Sequence, residues 1–364
     1  MVRRLVSAFV PGDLCEELCF RGSFQKRGGW PWAVTSGWTA ALFRGRGGRQ
    51  FSRKGAKSAK GIQVYIFSSS WRAFGMLLAV LLLGCGVEEL RTVSAGPSPE
   101  RIISMSPALT ETLFALGLGD RVVGVTQFCF YPEDALALPK IGGYLDPNWE
   151  AIVALEPDLV VLMESHTGAE SHLNGLGIPT IRINQQGVGD ILDSFEQLAG
   201  VCGVSGRGEA LRLEVEENLE RISILVAGRP EPRVIVSAGR PPGSGRLKTV
   251  WAAGPGSFFD DVLSLAGGVN VVPGGVAGAY PEISLEGLLQ LDPDDIIDVI
   301  PELEASGMDA GTALDDWQGL RSLRAVREGR VHVLGRHSLS IPGPRVAEVV
   351  EAFAKVLHPE VPWG

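Results

Sequence analysis

Residues 148–161 read Asn148-Trp149-Glu150-Ala151-Ile152-Val153-Ala154-Leu155-Glu156-Pro157-Asp158-Leu159-Val160-Val161. Residues 284–297 repeat the pattern as Ser284-Leu285-Glu286-Gly287-Leu288-Leu289-Gln290-Leu291-Asp292-Pro293-Asp294-Asp295-Ile296-Ile297. Each copy opens on a cap residue, runs through a short helix, turns at an acidic-Pro-Asp step and enters a buried strand. Each carries a glutamate in the first helical turn, Glu150 and Glu286, and a tyrosine six residues earlier, Tyr144 and Tyr280. A duplicated unit predicts two similar lobes facing each other. Matched glutamates and tyrosines predict a shared surface and a shared cleft, the shape of a receptor for a small molecule.

Strands and helices alternate on both sides of these copies, which argues an α/β fold with parallel sheets. The first lobe reads as strands over 101–105, 122–125, 159–163 and 180–183, with helices over 108–116 and 168–175 and a long aromatic and proline-rich loop over 126–144. Residues 190–202 and 205–226 are helical by apolar spacing. Leu211, Val215, Leu219, Ile222 and Val226 form a stripe at intervals of three and four. The long second helix is the natural connector between lobes. The second lobe reads as strands over 233–237, 269–272, 296–300 and 330–334, with helices over 257–265, 317–325 and 346–357. The expected domains are therefore 99–189 for the first lobe, 190–228 for the connector and 229–362 for the second lobe.

The 364 residues divide sharply by charge. Residues 1–84 carry a net +10 and residues 85–364 a net −19. A globular part that acidic repels phosphate backbones, which argues against nucleic acid as a partner. Residues 71–84 combine a short basic stretch with an apolar run of secretory-signal length, too short to span a bilayer as a mature helix. Leu82-Leu83-Gly84-Cys85 resembles a bacterial lipobox, so Cys85 is the expected lipidation site and membrane anchor. The alternative is a cleaved signal with an incidental cysteine. Residues 85–98 read as a polar tether. Residues 1–70 have no sustained periodicity and fit neither signal nor domain, as an upstream start or a long basic pre-region would. Cys129 and Cys202 leave one disulfide open in an exported protein without demanding it.

Catalytic motifs are absent from the sequence: it holds no G-x-S-x-G elbow, no H-E-x-x-H, no P-loop and no metal-type Cys/His spacing. The candidates are instead binding residues. Glu150 and Glu286 suit a helix dipole, and equally suit two exposed carboxylates meeting arginines on a partner. Tyr131, Tyr144 and Tyr280 lie in loops where ligands of open α/β sheets bind, and Trp251 joins them. Tyrosine offers a flat apolar face and a hydroxyl to a large ring with polar edges. Trp149 and Phe128 read as core. Arg240, Arg336 and His337 follow strand ends in the second lobe, whereas Arg345 reads as a brace for the last helix.

The exported part resembles the substrate-binding lipoproteins of ABC importers for cobalamin, ferric siderophores and haem. The resemblance covers about residues 99–360. It rests on Arg101–Pro107 with Thr110-Glu111, Tyr131-Pro132, Leu138–Tyr144, Asn148–Val161, Gly254–Phe258, Leu265–Asn270, Ile283–Glu286 and Gly343-Pro344-Arg345. It implies two Rossmann-like lobes joined by one long helix, with small lobe movements. It implies permease docking through Glu150 and Glu286, and an aromatic box for a corrin ring to which Tyr131, Tyr144 and Tyr280 contribute. Met163 and Phe130 depart from the box pattern. The expected protein is a monomeric, lipid-anchored receptor for a metal chelate, foremost a corrinoid. Within that class haem would use Tyr131, His166 or His337 as an axial ligand, and an anionic siderophore would use Arg240 and Arg336. The alternative of another class is an exported enzyme like the two-lobed metallocluster oxidoreductases. Cys129 and Cys202 alone are too few thiolates for such a cluster.

Overall fold

The structure, a computed structural model, describes residues 98–275 and 278–363. The N-terminal extension, the signal segment, Cys85 and the tether as far as residue 97 lie outside the described residues. Strands β1 (Ile102–Ser104), β2 (Val122–Val125), β3 (Leu159–Met163) and β4 (Thr180–Ile183) form one sheet in the order β2-β1-β3-β4, with every pairing parallel. Helices α1 (Pro107–Ala115), α2 (Trp149–Ala154) and α3 (Thr167–Gly175) supply the crossovers that parallel strands require.

Helices α4 (Val188–Val201) and α5 (Ser205–Val226) follow. The second lobe contains β5 (Arg233–Ser237), β6 (Thr249–Trp251), β7 (Val269–Asn270), β8 (Glu282–Ser284), β9 (Asp295–Val299) and β10 (Val331–Leu334). Its main sheet has the order β10-β9-β5-β7, again all parallel, and β6 pairs antiparallel with β8. Its helices are α6 (Phe258–Leu265), α7 (Leu285–Leu291), α8 (Leu303–Ser306), α9 (Ala310–Asp315), α10 (Arg324–Arg327) and α11 (Val346–Leu357).

The sequence repeat folds as one unit used twice. The Asn148 side chain accepts from the Ala151 amide at 3.0 Å, and Ser284 accepts from the Gly287 amide at 3.2 Å, so both short helices are capped. Glu156 and Asp292 end those helices with positive φ, 44° and 37°. The proline after each disfavours a further helical residue, and the left-handed turn stops the helix. Asp158 then accepts from the Arg101 amide at 2.9 Å while the Arg101 guanidinium donates to the Leu155 carbonyl at 2.6 Å. Asp294 accepts from the Arg233 amide at 3.0 Å while Arg233 donates to the Leu291 carbonyl at 2.8 Å. The same Arg–Asp brace therefore locks β1 to β3 and β5 to β9.

The connector belongs to both cores. Leu198 and Ala199 of α4 pack with the first-lobe residues Ile102, Leu109 and Val161. Ile191 and Phe195 of α4, with Val215, Leu219, Ile222 and Val226 of α5, pack with Val234, Val262 and Phe353 of the second lobe. Burying such an aliphatic side chain stabilises by about 1.5–3 kcal/mol, so the stripe resists hinging. Asp261 of α6 adds a cross-lobe cap, accepting from the Val188 amide at 2.9 Å.

Two expectations differ from the structure. Residues 317–325 do not form one helix: Gln318–Leu320 is a 3₁₀ turn and Arg324 starts α10, because Trp317 and Leu323 are both drawn into the core below β9. The strand expected over 269–272 stops at Asn270, whose side chain accepts from the Val272 amide and turns the chain away. Cys129 and Cys202 are free buried thiols. Cys129 Sγ accepts from Thr110 Oγ1 at 3.1 Å, and burial pushes its thiol up from the ordinary value.

Candidate functional site

Side chains from elements that follow the strands of the two sheets meet one another. Glu111, on α1 of the first lobe, accepts two hydrogen bonds from Arg345, at 2.9 Å from Nε and 2.6 Å from Nη2. Arg345 follows β10 and occupies the N-cap position of α11 without a side-chain cap bond. Its guanidinium carbon also lies 4.0 Å from the centroid of the Tyr131 ring. Phe130 meets the His337 ring edge-on at 5.4 Å. Gly343 is equally close: a Cβ placed there would lie 3.5 Å from the Ala108 carbonyl oxygen. Sequence reading had Arg345 bracing its own helix. The structure instead makes it the bolt between lobes, with a carboxylate only 3 % exposed. The available signal was Glu111 itself, an acid on a helix otherwise buried around it.

Tyr131 and Tyr144 both lie in the long loop between β2 and α2. Tyr131 is 49 % exposed, with one ring face on Arg345. The Tyr144 hydroxyl is 2.7 Å from Ser165 Oγ, and its ring lies 4.3 Å from that of His166. Burial raises the Tyr144 phenol above its ordinary value, so it stays protonated. In the second lobe, Trp251 ends β6, paired to Glu282 of β8, and stays partly exposed. Tyr280 is anchored in the core, edge-on to Phe259 at 6.4 Å, and burial pushes its hydroxyl well above the ordinary range.

His337 lies in the 3₁₀ turn after β10. Burial lowers its pKa, and the nearby Arg345 charge lowers it further against the opposing pull of Glu302 and Glu304. Its Nε2 is buried without a hydrogen-bond partner among the described residues. Trp149 packs in the first-lobe core and stacks on His172 at 4.4 Å, as expected of a core aromatic.

Arg240 requires a correction. It follows β5 as expected but is only 5 % exposed. Its Nη2 lies 2.7 Å from Asp298 Oδ2 and donates to the Ala313 carbonyl at 2.7 Å, and its Nη1 donates to Asp316. Trp317 Nε1 donates to the same Asp298 oxygen at 2.8 Å. Burial opposes the Asp316 charge, but Arg240 and the amides of Gly243 and Gly245 outweigh it and hold the carboxyl below the usual range. A cation enclosed by two carboxylates has no charge to offer a ligand. Of the arginines expected at the strand ends, Arg336 is exposed and makes no ion pair among the described residues.

Glu150 and Glu286 occupy the first turns of α2 and α7. Both are exposed, and neither forms an ion pair among the described residues. Each is followed three positions on by an exposed aliphatic, Val153 or Leu289, on the same helix face. No group of three or more His, Cys, Asp or Glu residues arranged for a metal occurs among the described residues. No described helix is long and apolar enough to cross a membrane.

Known proteins share this architecture. The chain is 25% identical over 320 residues to an uncharacterized ABC transporter substrate-binding lipoprotein of Bacillus subtilis, covering 80% of this chain and 96% of that one. It superimposes on the crystal structure of the periplasmic vitamin B12 binding protein BtuF of Vibrio cholerae with a TM-score of 0.61 and 26% identity, over 72% of this chain and 98% of that one. The apo periplasmic heme-binding protein RhuT from Roseiflexus sp. RS-1 aligns with a TM-score of 0.59 and 26% identity, over 71% and 98%. Residues 102–337, more than half of the chain, match the model of the periplasmic binding protein family. On that match and this fold, the chain belongs to the periplasmic binding protein family.

Proposed function

We propose that this chain is the substrate-binding protein of an ABC importer, and that its cleft takes a neutral, amide-bearing metal chelate, a corrinoid. It is a binding protein rather than an enzyme, as the family match and its relatives imply. Its partner is the importer's permease, approached through Glu150 and Glu286, and Cys85 tethers it to the membrane as a lipidated monomer.

One observation carries the choice of ligand. Two of the three arginines near the strand ends are already neutralised within the protein, and of these only Arg336 stays exposed without an ion pair among the described residues. Arg240 is held by Asp298 and Asp316, and Arg345 by Glu111. His337 is kept uncharged by burial. In this reading the exposed or partly exposed aromatics Tyr131, Tyr144, Phe130 and Trp251, with neutral polar groups, supply the binding surface. Such a surface holds a large ring by contact and its amides by hydrogen bonds. Apart from Arg336 it has little to set against the carboxylates of haem or of an anionic siderophore, whose burial without a cation is costly.

Titrating the full chain with cyanocobalamin, hemin and an anionic ferric tris-catecholate tests the choice. Cyanocobalamin is expected to bind one-to-one at about micromolar or tighter, about −8 kcal/mol, with the other two weaker. Tighter hemin binding with a tyrosinate-ligated iron spectrum would move the assignment to haem through Tyr131. Tighter catecholate binding would make Arg336 the receptor group.

A further inference from the structure

His166 lies three positions past the end of β3, at the N-cap position of α3, near the carboxyl end of a central strand. The Met163 amide donates to His166 Nδ1 at 3.1 Å. An amide donor requires a lone pair, so a neutral ring carries its proton on Nε2. The ring is 5 % exposed and lies 4.3 Å from the Tyr144 ring. Its neighbour Ser165 bonds the Tyr144 hydroxyl at 2.7 Å. Two consecutive residues of one turn therefore grip one tyrosine, by its hydroxyl and by its face. Burial lowers the His166 pKa to about 4, so the ring stays neutral. The nearest acids in sequence, Glu164 and Glu170, are both engaged by Arg182, at 3.3 and 3.1 Å. His166 Nε2 has no hydrogen-bond partner among the described residues.

We propose that His166 is a positioning residue: held as its Nε2–H tautomer by the Met163 amide, it fixes the Tyr144 ring at the cleft and is closed to metal ligation. Neither nitrogen is free to bind a metal, because one lone pair serves the backbone and the other nitrogen carries the proton. A chelate seated against Tyr144 thus meets an imidazole that orients its neighbour and leaves the ligand's metal alone. The inference rests on the reading of this cleft as the binding site, but the tautomer can be read without any ligand.

The first arm is nitrogen-15 spectroscopy of the imidazoles in the ligand-free full chain, assigned by comparison with His166→Asn. The proton is expected on Nε2, and a proton on Nδ1 would overturn the proposal. The second arm uses His166→Asn, whose Oδ1 keeps an acceptor for the Met163 amide while the ring face is lost. Its thermal stability is expected to stay near that of the parent, with cyanocobalamin affinity about tenfold lower. In a Tyr144→Ala background the same substitution is expected to change affinity no further. Additive losses would show that His166 does not act through Tyr144. The third arm is the spectrum of bound aquocobalamin. It is expected to keep oxygen ligation, whereas a nitrogen-ligated spectrum that His166→Asn abolishes would contradict the closure to metal. Failure of cyanocobalamin to bind the parent would refute the corrinoid reading while leaving the tautomer result to judge His166.

Discussion

Arg345→Ala is expected to destabilise the chain by about 3–5 kcal/mol and to weaken ligand binding at the same time. Glu111 would be left as a buried carboxylate without its partner, and such a group costs far more than the intact pair contributes. The Arg345 guanidinium also covers one face of Tyr131 at 4.0 Å, so the loop bearing that ring loses its rest. The double variant Arg345→Met with Glu111→Leu removes both charges. It is expected to recover most of the stability without restoring affinity, because the bolt between lobes and the support of Tyr131 stay absent. Denaturant unfolding measures the first effect and cyanocobalamin titration the second. A stability loss below about 1 kcal/mol for Arg345→Ala would mean that the pair behaves as a solvated surface contact.

Glu150→Ala combined with Glu286→Ala is expected to leave ligand affinity unchanged and to lower uptake roughly a hundredfold or more, as losing two charge-assisted hydrogen-bonded contacts implies. Both carboxylates are exposed and free of ion pairs among the described residues, so their removal disturbs nothing in the fold. They repeat on equivalent helices of the two lobes, each with an aliphatic neighbour on its face. A partner that receives one such face has the chemistry to receive the other. Reconstituted transport and cyanocobalamin titration on the same variant separate docking from binding. Lost affinity with transport falling only in proportion would contradict the docking role.

The parts of this fold that were legible in sequence are those fixed by local chemistry. Asn148 and Ser284 as caps, Pro157 and Pro293 after the turn residues, and the α5 stripe all act over a few positions, and all fold as the pattern reads. The antiparallel β6–β8 ribbon was missed, because three-residue strands among glycines and prolines carry no usable periodicity. Arg240 shows why strand-end position alone misleads. The decisive partner was Asp298, an acid inside the fully buried strand β9. A carboxylate there demands a cation, and the sequence held that demand in plain view. The tyrosines were placed in the right loops, but their neighbours were not legible. Tyr131 meets Arg345 more than two hundred positions away, whereas Tyr144 is gripped by Ser165 and His166 from the turn after β3.

We expect the ligand to be held by an aromatic cleft between the lobes. Titrating cyanocobalamin into the full chain and into its Tyr131→Ala and Tyr144→Ala variants tests this most directly. The account predicts one site in the parent and a loss of about 1–2 kcal/mol, roughly five- to thirtyfold, for each tyrosine, from lost ring contact. Binding that survives both substitutions unchanged would place the ligand elsewhere and contradict the account.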